Sequence, residues 1–569
     1  MILQALKEYY DRKEDLPRQG FEEKEIPYIV VLDKNGNVVN LESTYEGTGK
    51  EKRAKLFLLP KSVKRASGVA ANLLWDNPEY ALGIKIKSDK ERISKMHGAF
   101  IEKINSLGDI DDKGLNALKL FLKNTDKEEL LNKSNVEIFK ELKEDKKAYI
   151  TFKLAGEDDI ISKTPNIMRT VGDLANSDEG EKSVCLITGE RDTIVPIHNN
   201  IKGFNATGAN IVSFQINSGY DSYGKEQGHN APCGERGMFA YTTALNSLLA
   251  KDSAQRMLAG DATMVFWASK PDKLESNFAS LFSIAPKDNP DVGINAVRAL
   301  FKSVESGTGV PASDDKKFYV LGLSPNKARI SVRFFIKDTV AGMSTNIARY
   351  FEDLKVDRPA FENEFLPLFK LLLSTAAFGK SENIAPHLAG DFMMSVLRGL
   401  PYPNTLLQAL IIRIKAEQKI NYPRAALIKA YLNRNEKEGI KVSLDIENAN
   451  QGYVLGRLFA ALEKLQEEAH GSTNSTIIRY YGSASSTPVT VFANLMRLHQ
   501  HHLSKLGKEK PGREIYFGKL IGEIHSRLDN KTGYPAHLPL AEQGMFAIGY
   551  YQQRQDFFKT KEEKANKGE

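Results

Sequence analysis

The chain has 569 residues, 41% hydrophobic and 27% charged, with 79 Lys+Arg against 72 Asp+Glu and two cysteines. These values describe a globular protein with several cores. They exclude a disordered polyelectrolyte and a disulfide-stapled module, and no run of about 18 apolar residues offers a membrane span. The net charge of +7 is modest and well mixed, so a polyanion would have to be met by local basic patches. Sparse cysteine and an N-terminus without an apolar signal core lead us to expect a cytoplasmic protein.

In chain order, residues 2–12 have helical spacing. Two apolar runs, Ile26–Leu32 and Val38–Leu41, flank Asp33-Lys34-Asn35-Gly36-Asn37 and predict a hairpin. Lys55–Leu59 predicts a third strand, ended by Pro60. Residues 89–146 are rich in lysine and glutamate with leucine and isoleucine at helical spacing, which predicts a solvated helical insert. Strand-like runs recur at Ala148–Lys153, Val184–Ile187, Ile211–Ile216, Thr263–Ala268 and Phe318–Leu323. The last joins Arg329–Ile336 through Ser324-Pro325-Asn326-Lys327, a second hairpin.

Beyond about residue 360 the period changes. Leu406, Leu407, Leu410, Ile411 and Ile414 share one helical face, as do Leu455, Leu458, Phe459 and Leu462. Pro488 behind Ser485-Ser486-Thr487 predicts a helix start, and Ile515–Leu528 and Gln543–Phe558 predict two more helices. The expected fold is α+β: a mixed region over 1–360 with antiparallel strands and the 89–146 insert, then an all-α bundle over 361–569.

Catalytic patterns are missing from the sequence. No Walker lysine follows a phosphate loop, and neither a GxSxG elbow nor an HD dipeptide occurs. Cys185, His198, His229 and Cys233 match no standard zinc spacing, which favours buried thiols and ordinary histidines. His499, His501 and His502 lie at i, i+2 and i+3, which does not put three ligands on one helix face. We therefore expect no catalytic residue, metal or cofactor. The alternative is a nucleic-acid-processing metalloenzyme using His198, His229 and nearby acids.

Binding chemistry is better represented. Lys61, Lys64 and Arg65 follow Pro60 and precede Asn72, Trp75 and Asn77, so cations for phosphates stand next to amides that can pair with base edges. The same residues fit an exposed basic turn beside a packing tryptophan. The segment with Gln215, Asn217, Tyr220, Tyr223, Lys225, Gln227 and Asn230 is a glycine-punctuated run of hydrogen-bonding side chains. It fits either a binding surface for an extended polar partner or a well-tied Ω-type loop.

Several motifs carry a resemblance along the whole chain. They are Met1–Leu6, Arg65-Ala66-Ser67-Gly68 with Asn72, Cys185–Glu190, Ile201-Lys202-Gly203, Ser222–Gln227, Asn230-Ala231-Pro232, Tyr241–Asn246, Phe318–Arg333 and Gly544–Tyr551. In order and spacing they resemble the Csd1 family, the large subunit of subtype I-C CRISPR surveillance (Cascade) complexes. The resemblance implies a non-catalytic subunit at the foot of a crRNA-guided complex. Such a subunit contacts the partner that holds the 5′ handle of the guide, sits with the backbone and small subunits, and inspects the motif flanking the target in double-stranded DNA. It helps part the strands, and a separate helicase–nuclease is recruited to cut. The resemblance tips Lys61–Asn77 and Gln215–Asn230 toward nucleic acid. Residues 445–569 resemble the family's small subunit, with Arg457, Arg479 and Arg497 as cations for the displaced strand. That part can also arise as a separate product, for which Val442 or Leu444 codons are placed as starts.

Overall fold

The computed structural model describes residues 1–559 except 48–51, 64–67, 146, 176–180, 206–207, 217–218, 220, 222, 260–261, 284–288, 290, 306–315, 328, 386, 472–476 and 530–532. Its contacts divide into two units, one of residues 3–199 with 212–245 and one of residues 200–211 with 246–569. No helix among the described residues is long and apolar enough to cross a membrane.

The first unit opens with α1 (Ile2–Arg12), which buries Ala5, Leu6 and Tyr9. Short strands follow: β1 (Phe21–Glu25), β2 (Tyr28–Leu32), β3 (Val38–Ser43), β4 (Tyr45–Glu46), β5 (Arg53–Ala54), β6 (Leu56–Pro60) and β7 (Trp75–Asp76). Next come α2 (Pro78–Ala81), α3 (Lys90–Asn105), α4 (Lys113–Leu122), α5 (Lys127–Ser134) and α6 (Val136–Glu144). Then β8 (Ile150–Leu154), α7 (Pro165–Ala175), β9 (Lys182–Val184), β10 (Arg191–Thr193) and α8 (Glu235–Leu248) complete the series.

The first predicted hairpin is present. β2 and β3 pair antiparallel, and the Asp33 carboxylate accepts from the backbone N–H groups of Asn35 and Asn37 to fix the turn. β2 is buried along its whole length, with Tyr28, Val30 and Leu32 in one hydrophobic cluster and Ile29 and Val31 in another, and β8 pairs with its other edge in parallel, giving the order β3-β2-β8-β7. Helices α2–α6 supply the crossover that a parallel pair requires. This explains a difference from expectation at 89–146. The segment is not a solvated appendage, since Phe100, Ile104, Leu118, Phe121 and Leu142 are buried in one core with Val30, Ile150 and Phe152. Its lysines and glutamates coat the outer faces. β1 has no strand signature in FEEKE, but it pairs antiparallel with β6 and buries Phe21.

The second unit contains β11 (Arg256–Ala259), β12 (Ala262–Ala268), α9 (Lys273–Phe282), α10 (Val292–Glu305), β13 (Lys317–Asn326) and β14 (Arg329–Thr339). The four strands form an antiparallel meander, with a register irregularity between Gly322 and Leu323. Ile211–Ile216 forms no strand; just before it, Ala209 bridges Ile201 and Asn210 bridges Arg329. Turn residues on both sides, among them Gly208 and Gly219, leave too short an extended run to join a ladder.

After Thr339, earlier than the change of period at about residue 360 indicates, the described residues form helices and irregular segments only. The helices are α11 (Val340–Leu354), α12 (Leu368–Leu373), α13 (Leu388–Arg398), α14 (Asn404–Glu417), α15 (Tyr422–Tyr431), α16 (Gln451–His470), α17 (Tyr481–Ala484), α18 (Phe492–Glu509), α19 (Pro511–Ser526) and α20 (Leu540–Asp556). Pro488 starts only a 3-10 turn, and α18 begins at Phe492. Sheet residues Phe266, Phe318 and Ile336 share one core with Met343, Phe392, Leu410, Phe459 and Phe546. At the centre α16 and α20 nearly touch backbone to backbone. A Cβ on Gly456 would lie 2.0 Å from the carbonyl oxygen of Phe546, and one on Gly549 would lie 2.1 Å from that of Tyr453.

Candidate nucleic-acid interface

The Lys61–Asn77 segment is a stapled loop at the end of β6. Lys61 donates its backbone N–H to Gly20 at 2.8 Å and leaves its side chain exposed. The Trp75 indole donates to the carbonyl of Pro60 at 2.7 Å, anchoring the return of the chain. The Asn72 side-chain oxygen accepts from Val63 N–H at 3.0 Å, while its own N–H donates to Asp76. Asn77 caps α2, accepting from the N–H groups of Glu79 and Tyr80. Two expectations need correction here. Asn72 is 3% exposed, and both it and Asn77 use their amide oxygens to hold backbone, so they shape the loop instead of presenting base-reading groups. Lys64 and Arg65 lie outside the described residues, between the two ends that Asn72 joins.

The loop that ends at Asn230 is held from below. β9 and β10 form a small hairpin, and backbone bonds join Leu186 N–H to Pro232, Val195 N–H to Cys233 and Gly228 N–H to Pro196. Gly228 is required at its position because a Cβ would sit 2.4 Å from the Val195 carbonyl oxygen. The Asn230 amide nitrogen donates to the carbonyls of Gln227 at 3.1 Å and Lys225 at 3.2 Å, and to Asp221 at 3.3 Å. Asn230 is therefore the internal tie of the loop. Gln215 and Lys225 are exposed, Gln227 is half-buried, and Tyr223 stands fully in solvent with φ +53. A bulky non-glycine residue in the left-handed region stores strain of about 1 kcal/mol or more, a pattern concentrated at functional sites. Asn217 and Tyr220 lie outside the described residues.

One observation links the two segments. Burial raises the Glu235 carboxyl at the start of α8, and the Lys61 charge acts on it in the opposite direction. The sequence also hid the apolar neighbours of this surface. Leu186 and Ile197 are more than half exposed, next to Pro232 and Pro196, the residues that tie the loop down.

The thiols and histidines have other uses. Cys185 and Cys233 are free and buried, and burial followed by the Cys185 charge pushes the Cys233 thiol up to about 11. His198 Nδ1 lies 2.6 Å from the Tyr241 hydroxyl, and burial pulls the ring down to about 4. His229 Nδ1 is 3.4 Å from Glu181. Among the described residues no group of three or more His, Cys, Asp or Glu is placed to hold a metal ion.

In the helical part the three expected cations separate. Arg457 is 1% exposed and donates to Gln553 and to the carbonyl of Ile446, so it is a core residue and not a strand contact. Arg479 is exposed next to Tyr480, and Arg497 is exposed on α18. The structure adds a contact that spacing could not show: His470 Nε2 lies 2.9 Å from His502 Nδ1, and Lys505 donates to His470.

No curated protein matches the chain. A family model described as CRISPR-associated protein (Cas_Csd1) matches residues 6–558, nearly its whole length. The chain belongs to the Csd1 family of CRISPR-associated proteins.

Proposed function

We propose that this Csd1 protein is the non-catalytic large subunit of a subtype I-C crRNA-guided surveillance complex in the cytoplasm. It reads the motif flanking the target in double-stranded DNA and helps open the duplex. It meets crRNA through the subunit that holds the guide handle, sits with the backbone and small subunits, and recruits the helicase–nuclease. The observation that carries the reading is the loop tied by Asn230, which leaves Tyr223 and Lys225 exposed and Gln227 half-buried. Lysine neutralises phosphate, glutamine pairs with adenine, and an exposed aromatic ring can stack on a base step. Lys64 and Arg65 extend the phosphate contacts. Exposed Arg479, Tyr480, Arg497 and Lys505 give residues 445–569 the cation-and-ring composition suited to a displaced strand.

The test is binding of the assembled guide complex to duplexes that differ only in the flanking motif. Gln227→Ala is expected to lower discrimination between motifs while Lys225→Ala weakens binding to all of them. Unchanged discrimination in Gln227→Ala, Gln215→Ala and Tyr223→Ala together would refute this surface as the reader. Expression of the native gene with a C-terminal tag examines the separate small product. A single full-length band, unaffected by synonymous changes at Val442 and Leu444, would remove it.

A further inference from the structure

Where α16 ends against α18, two histidines and a lysine form a hydrogen-bonded chain. Lys505 Nζ lies 3.0 Å from His470 Nδ1, and His470 Nε2 lies 2.9 Å from His502 Nδ1, with the two rings at 89°. A lysine ammonium can only donate, so His470 Nδ1 accepts and the ring proton sits on Nε2. That proton is donated to His502 Nδ1, which puts the His502 proton on Nε2. The chain closes only with both rings neutral, because a proton added to either would set two donors face to face.

The charges around this chain are mostly positive. α18 carries Arg497, Lys505 and Lys508 together with His499 and His501, and its one acid is Glu509 in the last position. Arg497 is bonded to Asn494 and Lys505 to His470, so among the described residues neither charge is met by a carboxylate. The acids in the last turn of α16 are committed elsewhere, Glu467 to Lys464 and Arg554 and Glu468 to Arg513 of α19. Also on α19, Glu514 lies against Gly507. Burial, followed by the charges of His470, His501, His499 and Lys505, makes His502 harder to protonate than an ordinary histidine.

We propose that His470, His502 and Lys505 form a proton-linked phosphate clamp, in which a phosphodiester of a single strand breaks the chain and is held by Lys505 and an imidazolium. The inference rests on the reading of the helical part as the surface for the displaced strand. The phosphate supplies the acceptor that the chain lacks. Its charge offsets the neighbouring cations that keep His502 neutral, so a proton passes from solvent to the imidazole pair as the strand binds. The carbonyl end of α16 favours the same protonation at His470.

The test titrates the full-length protein by calorimetry with an oligothymidine of about 15 nucleotides. It uses buffers of different ionisation enthalpy between about pH 6 and about pH 8. Uptake of about one proton is expected, with affinity falling about tenfold as pH rises over that range. His470→Gln with His502→Gln should abolish the uptake and flatten the slope. His525→Gln, on α19 beside Tyr534, should leave both unchanged. Binding without proton uptake, or uptake that survives in the double variant, would overturn the clamp while leaving the displaced-strand reading in place. No binding at any pH would overturn both. If the double variant fails to fold, His470→Gln alone decides, since His470 is exposed at the end of α16, and an unchanged slope there overturns the proposal.

Discussion

The crossing of α16 with α20 and the loop that ends at Asn230 both depend on close backbone approach, but they spend their side chains differently. At the crossing, Gly456 and Gly549 let one helix backbone lie against the other, and the surrounding Leu455, Leu458, Phe459 and Phe546 are fully buried. Every position there is committed to packing, which approaches crystalline density in protein cores. In the loop, Gly228 and the Asn230 amide fix the backbone, and Tyr223 and Lys225 are left to the solvent. Side chains that the fold does not consume are the ones available for a partner.

Four measurements would break or sharpen that contrast. The largest effect is expected at the crossing: Gly456→Ala should cost about 3 kcal/mol in urea unfolding, because neither backbone can yield to a Cβ. Near-native stability would show that the helices can separate, and with it that this part of the core is loosely specified. Next, Arg457→Ala should cost roughly 2–3 kcal/mol by leaving buried partners unpaired. Arg497→Ala should change stability by less than about 0.5 kcal/mol and show itself only in weaker single-strand binding.

The third comparison pairs two amides. Asn72→Ala should destabilise by about 1–2 kcal/mol through loss of the Val63 contact. Gln227→Ala should leave the melting curve unchanged and cost roughly 1–3 kcal/mol of motif discrimination. The smallest effect belongs to Lys225→Ala, which should weaken binding on every sequence and reduce the slope of log K against log salt by about 1.

A pH measurement addresses the scaffold itself. Burial holds the His198 ring down to about 4 from its ordinary 6.5, so the folded protein keeps it neutral while the unfolded chain takes up a proton. Stability should therefore fall as pH drops from 6.5 to about 4, and His198→Gln should flatten that limb of a denaturation series. An unchanged slope would show that His198 protonates in place and that the Tyr241 contact is not what holds this part of the first unit.

The hairpin at Asp33–Asn37, the strands Thr263–Ala268 and Phe318–Leu323, and the C-terminal helices were legible in the sequence, because each combines a clear hydrophobic period with turn chemistry at its ends. β1 was not: FEEKE buries only Phe21, and its strand state comes from the partner β6. The core role of residues 89–146 was masked by charged outer faces that outnumber the buried positions. At the site, the sequence singled out the loop but not the geometry within it. Asn72, Asn77, Asn230 and Gln227 are all amides, and only geometry separates the three asparagines, whose side chains tie backbone, from Gln227, which is half-buried on the loop. Arg457 was misassigned for the same reason, since charge gives no sign of burial when a glutamine and a carbonyl wait across the sequence.

The parallel pairing of β2 with β8 has a consequence for how the chain is made. β2 and β3 can close their hairpin as soon as they leave the ribosome, but the other edge of β2 has no partner until Ile150–Leu154 emerges. At translation speeds of about 5–20 residues per second that interval lasts roughly ten seconds, during which the YIVVL edge is open. The intervening helices shorten the exposure by covering the sheet face early, but they cannot cap the edge. Nascent chains stalled before Ile150 should therefore engage chaperones or aggregate, and chains stalled after β8 has emerged should not. Production of this protein would then depend on elongation rate across α3–α6 more than on the stability of the finished fold.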